Sequence, residues 1–389
     1  MKTLAILSVS AGNLLRHKLR TAVVILCLVV IITPFVSAMA LLEGIKKEAL
    51  ISVKEGADLY VTMDMYGRNG MIPIEVADEI RKIEGVQKVI PRVISRIYTE
   101  GRLAVLLGIP LDEIEKTVRI VEGKLPDEGE IVIGRALARE LGLKVGSFLS
   151  LGVRVTAIID HRPYIMKKVF TISGIFEPDT SIWSSDLILT GIDDAIAIYE
   201  MEDFVSDIAV YADPSKLLDI IDTIQQMNAY FRIQSKSIAE KYIKRGFNRK
   251  GGIFVILYTF AFILAIPVML TVSGTGLTER KKEVAILKAT GWQTDEVLQM
   301  TFLENSIIAL ISAPVSVLIS FVWLKLFNGA FIAQIFIAEI QGIAPFTIPA
   351  QFTFATFFMT IFFSLLFTLV GSIYTTWRTA ITPPAEVLR

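Results

Sequence analysis

His17 and His161 are the only imidazoles among 389 residues, and neither stands in the H-E-x-x-H arrangement that holds zinc on one face of a helix. A G-x-S-x-G nucleophile elbow, an S-x-x-K pair and a G-x-x-x-x-G-K-[ST] phosphate loop are all missing from the sequence. His161, in Asp160-His161-Arg162-Pro163, reads as a turn residue. The single cysteine, Cys27, can build neither a disulfide nor a thiolate metal site within one chain. No catalytic residue, no metal and no cofactor bound by this chain is therefore expected. ATP and magnesium, if the protein depends on them, belong on another polypeptide.

Two features carry residue types suited to a different task. The first is the stretch from Thr278 to Trp292, in which Val284, Leu287 and Gly291 fall at i, i+3 and i+7. That spacing draws a narrow apolar stripe along a short, highly charged helix, which Gly291 is placed to stop. Such a helix either docks on a partner or connects two spans with one side on the membrane. Thr294 is expected to cap the next helix, with Asp295 and Glu296 at the positive end of its dipole. The second feature is Glu304, the acidic residue inside an apolar run. A proton or substrate path is one reading; its place near the edge of that run favours an interfacial hydrogen bond or ion pair.

The elements that position these residues are membrane spans. Apolar residues make up 53% of the chain, and residues 21–42, 253–277, 302–327 and 352–373 are long enough to cross a hydrocarbon core about 30 Å thick. A secretory signal peptide is the alternative for the first run, but its length exceeds that of a signal's apolar region. Lys2, Arg16, Lys18 and Arg20 precede the first span; Arg280, Lys281, Lys282 and Lys288 lie between the second and third; Arg378 and Arg389 follow the fourth. By the positive-inside rule residues 1–20, 278–301 and 374–389 are cytoplasmic, so both termini are. Residues 328–351 carry no Lys or Arg until past the last span and form a short outer loop; Phe331 to Ala344 reads as an interfacial segment. Lys244, Arg245, Arg249 and Lys250 run against this pattern, but long domains translocate largely regardless of charge. With 39 basic and 39 acidic residues and no long basic block, nucleic acid is excluded as a partner.

Residues 43–252 have the composition of a globular α+β domain inserted between the first two spans. Strands are expected at 58–64, 86–98, 103–109, 130–133, 147–151, 153–159, 169–176, 205–211 and 231–234, with helices at 75–84, 135–141 and 216–227. The two ends of the insert read as one α+β subdomain and the strand-rich middle, about 102–200, as another. The fold class is thus an α-helical membrane protein of four transmembrane helices with a two-subdomain α+β extracytoplasmic domain.

Thr278-Glu279-Arg280-Lys281-Lys282-Glu283-Val284-Ala285-Ile286-Leu287-Lys288-Ala289-Thr290-Gly291 resembles the T-E-R-x-x-E-I-x-I-x-[KR]-A-x-G segment of FtsX-like ABC permeases, the group that includes MacB, LolC/LolE and FtsX. Residues 298–304, ending in Glu304, are similar to the helix entry that follows it there. Residues 13–21 (NLLRHKLRT) resemble the family's N-L-L-R-x-[KR]-x-R-[ST] lead-in, and residues 377–389 its W/R-R-A-A-x-x-x-P-x-E-A-L-R end. Residues 130–134 and 141–146 look like parts of its MacB-like periplasmic core. Thr290 in place of a usual Leu or Met and the doubled Pro383-Pro384 are the departures.

The resemblance implies a permease subunit of an ABC transporter of the mechanotransmission type, in the cell (inner or plasma) membrane. Its partners would be a dimeric cytoplasmic ABC ATPase, a second copy or a related permease, and in some members a periplasmic adaptor (membrane fusion protein). The helix Glu279 to Ala289 would seat on the ATPase, with Glu279, Arg280, Glu283, Ile286, Leu287 and Lys288 as docking or positioning residues and Gly291 setting the turn. Substrate would be an amphiphile, peptide, lipoprotein or drug exported or extracted on the outer side. The alternative is an FtsX-like regulator that activates a cell-wall hydrolase and transports nothing; the size of the insert favours the transporter.

Overall fold

The computed structural model describes residues 2–156, 163–177, 186–274, 277–330 and 348–381. The chain divides into two compact units. His161, most of the outer loop with Phe331 to Ala344, and the end of the C-terminal motif lie outside the described residues.

The first unit comprises Met1–Ile45, Phe247–Ala330 and Ala350–Arg389. Its long helices are Lys18–Glu55, Lys236–Gly274, Thr294–Phe321 with a π-helical extension Val322–Leu326, and Phe354–Ile381; Lys2–Arg16 and Leu277–Ala289 are shorter. Among the described residues, Lys18–Glu55, Thr294–Leu326 and Phe354–Ser372 are apolar and long enough to cross a membrane, and Tyr258–Thr271 is a shorter apolar stretch within its helix. Leu28, Ile32 and Phe35 of the first helix pack with Ala265 and Met269 of the second, Ile308 of the third and Phe367 of the last. Phe35 and Phe363 meet edge to face with centroids 5.2 Å apart, and Phe262 meets Phe367 at 4.7 Å.

Apolar contact alone cannot hold helices together in lipid, where close packing and interhelical hydrogen bonds take over. The seam between the third and last helices fits that requirement. Ser312, Ser316 and Ser320 lie at i, i+4 and i+8, Thr356, Thr360, Ser364 and Thr368 repeat the same spacing, and all are buried. The Ser312 and Ser364 hydroxyls meet at 2.5 Å, and Ser320 Oγ donates to the Thr33 carbonyl at 3.1 Å. Large apolar side chains are turned outward from these helices, among them Leu264, Leu318, Phe354, Phe358 and Phe362.

The second unit covers Lys46–Gly246. Its strands are β1 (Leu59–Met65), β2 (Arg68–Gly70), β3 (Ile72–Pro73), β4 (Val86–Thr99), β5 (Arg102–Ile109), β6 (Arg119–Gly123), β7 (Glu130–Gly134), β8 (Phe148–Thr156), β9 (Pro163–Glu177), β10 (Leu187–Gly191), β11 (Phe204–Val205), β12 (Asp207–Ala212) and β13 (Phe231–Ser235). The main sheet runs β13-β1-β12-β4-β5-β10-β7-β9-β6, with β8 joined to β4 and β9. β4 links the two halves: residues up to Arg92 pair with β12 and those from Val93 pair with β5, both antiparallel.

Alternation along these strands sorts side chains onto two faces. Val61, Val89, Val93, Ile97, Leu106, Ile188 and Val210 point into one core, shared with the helices Val76–Ile80, Arg135–Leu141, Ile192–Tyr199 and Leu217–Met227. Ile90, Ile109, Leu187, Leu189 and Ala209 point to the other, where Ile114 of the helix Leu111–Thr117 joins them. The strands expected at 147–151 and 153–159 are one strand, β8, in which Gly152 pairs opposite Lys167 without a break. The helix expected over 75–84 is confined to Val76–Ile80.

Candidate coupling site

The helix Leu277–Ala289 ends in a Schellman turn. The Trp292 N–H donates to the Leu287 carbonyl and the Gly291 N–H to the Lys288 carbonyl, each at 3.1 Å. Gly291 has φ +99°, a backbone conformation costly for any residue with a Cβ. The turn folds Trp292 back so that it packs with Val284 and Val297, both buried. Gln293, not Thr294, occupies the cap of the following helix: Thr294 is already helical, and the Gln293 N–H donates to the Glu296 carboxylate at 3.0 Å. A Glu three residues past the cap reaches back more readily than a threonine hydroxyl set one residue too far along.

Of the residues proposed from sequence, Val284 and its neighbour Ala285 face inward. Ile286 is 55% exposed, Glu283, Leu287 and Lys288 are half-buried, and the Leu287 carbonyl serves the turn. Glu279 and Arg280 lie on the same helix by backbone; their side chains lie outside the described residues. The stripe of Val284 and Leu287 thus faces inward or is half-buried, and Ile286 lies off it on the opposite side of the helix. Val284 holds the helix to its own chain, and Ile286 is presented outward.

Sequence reasoning did not find the N-terminal helix Lys2–Arg16 as a partner of this site. It packs along the helix Thr294–Phe321. Ser10 Oγ donates to the Met300 carbonyl at 3.2 Å, and the Asn13 amide donates to the Glu304 carboxylate at 3.0 Å. At the break between the helices Lys2–Arg16 and Lys18–Glu55, His17 Nε2 lies 2.7 Å from Glu283 Oε1, with side chains 29% and 21% exposed. With its proton on Nε2 the ring donates to the carboxylate. Ser10, Asn13 and His17 stand at i, i+3 and i+7, a helical stripe that was available in the sequence as a signal. Asn13 and His17, one turn apart, tie Glu304 and Glu283 to the same segment.

Among the described residues no group of His, Cys, Asp and Glu is gathered to hold a metal. A short rigid helix is braced from one side by the chain itself and offers an apolar side chain among charges on the other.

Residues 255–384 match the family described as FtsX-like permease C-terminal, and residues 21–226 match the MacB-like periplasmic core domain. The lipoprotein-releasing system transmembrane protein LolC of Xylella fastidiosa (strain 9a5c) is 20% identical over 277 residues, covering 69% of this chain and 67% of that protein. LolC of the Temecula1 strain is 21% identical over the same lengths. Among solved structures, the periplasmic region of MacB from Actinobacillus actinomycetemcomitans is 14% identical, with a TM-score of 0.35, over 50% of this chain and 98% of that one. The extracellular domain of the ABC-type transporter YknZ from Gram-positive bacteria is 10% identical, with a TM-score of 0.34, over 46% and 100%.

Proposed function

We propose a coupling role for this chain from one premise: it belongs to the FtsX/MacB-type family of ABC transporter permeases. Membership makes it a multi-pass membrane protein with an extracytoplasmic α+β domain, working beside an ATPase on a separate subunit. The finer reading is that it spans the membrane four times with both termini in the cytoplasm, and that it pairs with a second permease. In that reading it carries the closure of a cytoplasmic ATPase dimer across the membrane to the outer domain, for export or extraction of an amphiphile, peptide, lipoprotein or drug.

The observation that carries this reading is the contrast between two sides of the helix Leu277–Ala289. Val284 and Glu283 brace it internally through Val297, Trp292 and His17, so a push on Ile286 is passed to the long helices rather than absorbed locally. An inserted domain of the extent Lys46–Gly246 favours transport over the regulator reading.

The test is a pull-down of tagged protein from detergent-solubilised native membranes, identified by mass spectrometry, alongside Ile286→Asp and Leu287→Asp. The expected result is an ABC ATPase that copurifies with the parent protein, whose activity these substitutions uncouple while insertion is retained. An ATPase missing from the pull-down, or one whose copurification and activity ignore both substitutions, overturns the reading. A cell-wall hydrolase in place of an adaptor or lipoprotein supports the regulator instead.

A further inference from the structure

The second face of the inserted sheet holds a cavity of about 390 Å³, within the size range of small-ligand sites. It lies wholly within the inserted domain. Strand alternation assembles its wall: Lys88, Arg92 and Ile94 of β4, Val105 and Leu107 of β5, Leu187 of β10, Tyr60 of β1 and Tyr211 of β12 share this face. The apolar members Ile94, Val105, Leu107 and Leu187 are half-buried or buried.

The charges there are not evenly matched. Arg92 is neutralised by the directly opposed Asp207, which accepts two of its hydrogen bonds at 2.7 and 2.8 Å, and the guanidinium lies 4.4 Å from the Tyr60 ring centroid. Lys88 and Lys116, however, share the one carboxylate of Glu113; the Lys116 Nζ to Glu113 Oε1 distance is 3.2 Å. Two ammonium groups on one carboxylate leave a surplus positive charge in a cavity lined by these apolar residues. The remaining charged lining residue, Glu55, evens the charges in number, but it is exposed at the end of the helix Lys18–Glu55 and forms an ion pair with neither lysine, so the surplus is local to Lys88 and Lys116. Gly56 keeps Tyr60 in the wall, since a Cβ there would come within 2.5 Å of the Tyr60 hydroxyl.

We propose that this cavity binds a small amphiphile with an anionic head, a carboxylate or a phosphate, whose head pairs with Lys116 and Lys88 and whose apolar body lies along Val105, Leu107 and Leu187. The proposal deepens the amphiphile part of the proposed function and rests on that part alone; it needs neither ATP nor a partner ATPase. An anionic head completes the charge that Glu113 leaves unmatched, and the apolar lining removes the body from water. An uncharged head gains at most a hydrogen bond at Lys116 without the charge pairing, and a cationic head is repelled.

The full-length protein in phosphatidylcholine nanodiscs is labelled with a photoreactive dodecanoate, a photoreactive dodecyl phosphate and a photoreactive dodecanol, and crosslinked peptides are mapped by mass spectrometry. The anionic probes are expected to label peptides carrying Val105, Leu107 or Leu187, while dodecanol labels them at least fivefold less. Lys116→Ala is expected to reduce that labelling at least fivefold and Glu55→Gln to increase it at least twofold. Both side chains are solvent-accessible, so the fold tolerates the changes. Labelling by only one of the two anions supports the site and identifies its head group. Equal labelling by dodecanol, or labelling indifferent to Lys116→Ala, overturns the proposal. Because nothing in this assay involves the cytoplasmic helix, its failure leaves the coupling role standing, and loss of coupling in Ile286→Asp leaves the cavity standing.

Discussion

The His17 imidazole meets the Glu283 carboxylate at 2.7 Å across 266 positions of sequence, which makes this N-terminal segment a brace for the helix Leu277–Ala289. A hydrogen bond to a charged group contributes roughly 1.5–3 kcal/mol, and partial exposure of this pair places it near the lower end. His17→Ala and Glu283→Gln are each expected to lower the stability of the first unit by about 1–2 kcal/mol, and the double variant by much less than the sum. Denaturation of the four proteins of this cycle in detergent measures it. Strict additivity would show that the pair is not coupled. ATPase stimulation is expected to fall in both single variants with partner binding retained.

The Asn13 amide supplies the same brace with a second anchor. Glu304 is buried, so removing a donor to it leaves part of its desolvation unmatched. Asn13→Leu keeps the size and deletes the donor; a loss of about 1–3 kcal/mol is expected. Glu304→Gln, combined with Asn13→Leu, is expected to recover part of that loss, read as a rise in melting temperature over the single variant. A combined variant no more stable than Asn13→Leu alone would sink this account.

Gly291 sets where the coupling helix stops. Open space surrounds its missing Cβ, so a substitution there is resisted by the backbone at φ +99° and not by a clash. Gly291→Ala is expected to cost about 1–2 kcal/mol, with Gly291→Asn milder because Asn visits the left-handed region more easily. Limited proteolysis across residues 289–294 should be slowest for the parent, faster for Gly291→Asn and fastest for Gly291→Ala. Equal protection of all three proteins would count against a turn that depends on glycine.

Part of this was legible in the sequence. The run from Val86 announced β4 within a residue of its true end because it is rich in Val and Ile and bounded by Glu100-Gly101. The glycine stop at 291 was readable because a short charged helix ending in Gly has few alternative foldings. β10 was not readable: Leu-Ile-Leu-Thr-Gly is buried at every position, so it shows no alternation, and its parallel partner β5 lies far away in sequence. The brace was invisible for a related reason. His17 and Asn13 look like part of a basic lead-in until the fold brings Glu283 and Glu304 to them. Register across β4 likewise decides the outer cavity, since Lys88 and Arg92 become neighbours of Tyr211 and Asp207 only through pairing with β12.

The ion cluster at that cavity predicts a pH response. Burial acts to raise the Glu113 carboxyl, but the hydrogen bonds and charges of Lys88 and Lys116 outweigh it and hold its pKa below the ordinary value. A carboxyl held low in the folded state contributes stability that is complete above its unfolded pKa and is lost as pH falls through the folded one. Glu113→Gln is therefore expected to be less stable than the parent near neutral pH, with the gap closing between about pH 5 and pH 3. Thermal unfolding at several pH values checks it. A gap that stays constant down to acid pH would assign the loss to packing instead.

The hydroxyl seam between the third and last helices yields a prediction about size rather than polarity. Ser316 is fully buried, and its hydroxyl donates to the Ser312 carbonyl of its own helix at 2.9 Å, so the group is satisfied locally and bonds nothing across the seam. Ser316→Ala removes a self-contained hydrogen bond and leaves the helices their close approach; a change under about 1 kcal/mol is expected. Ser316→Leu inserts bulk where small residues face the stripe of Thr360 and Ser364, and overpacking there costs about 1–3 kcal/mol. If the seam carries motion from the coupling helix, Ser316→Leu also lowers ATPase-coupled activity more than Ser316→Ala does. Equal loss for the two would mean that polarity, and not the spacing of the helices, is what the seam protects.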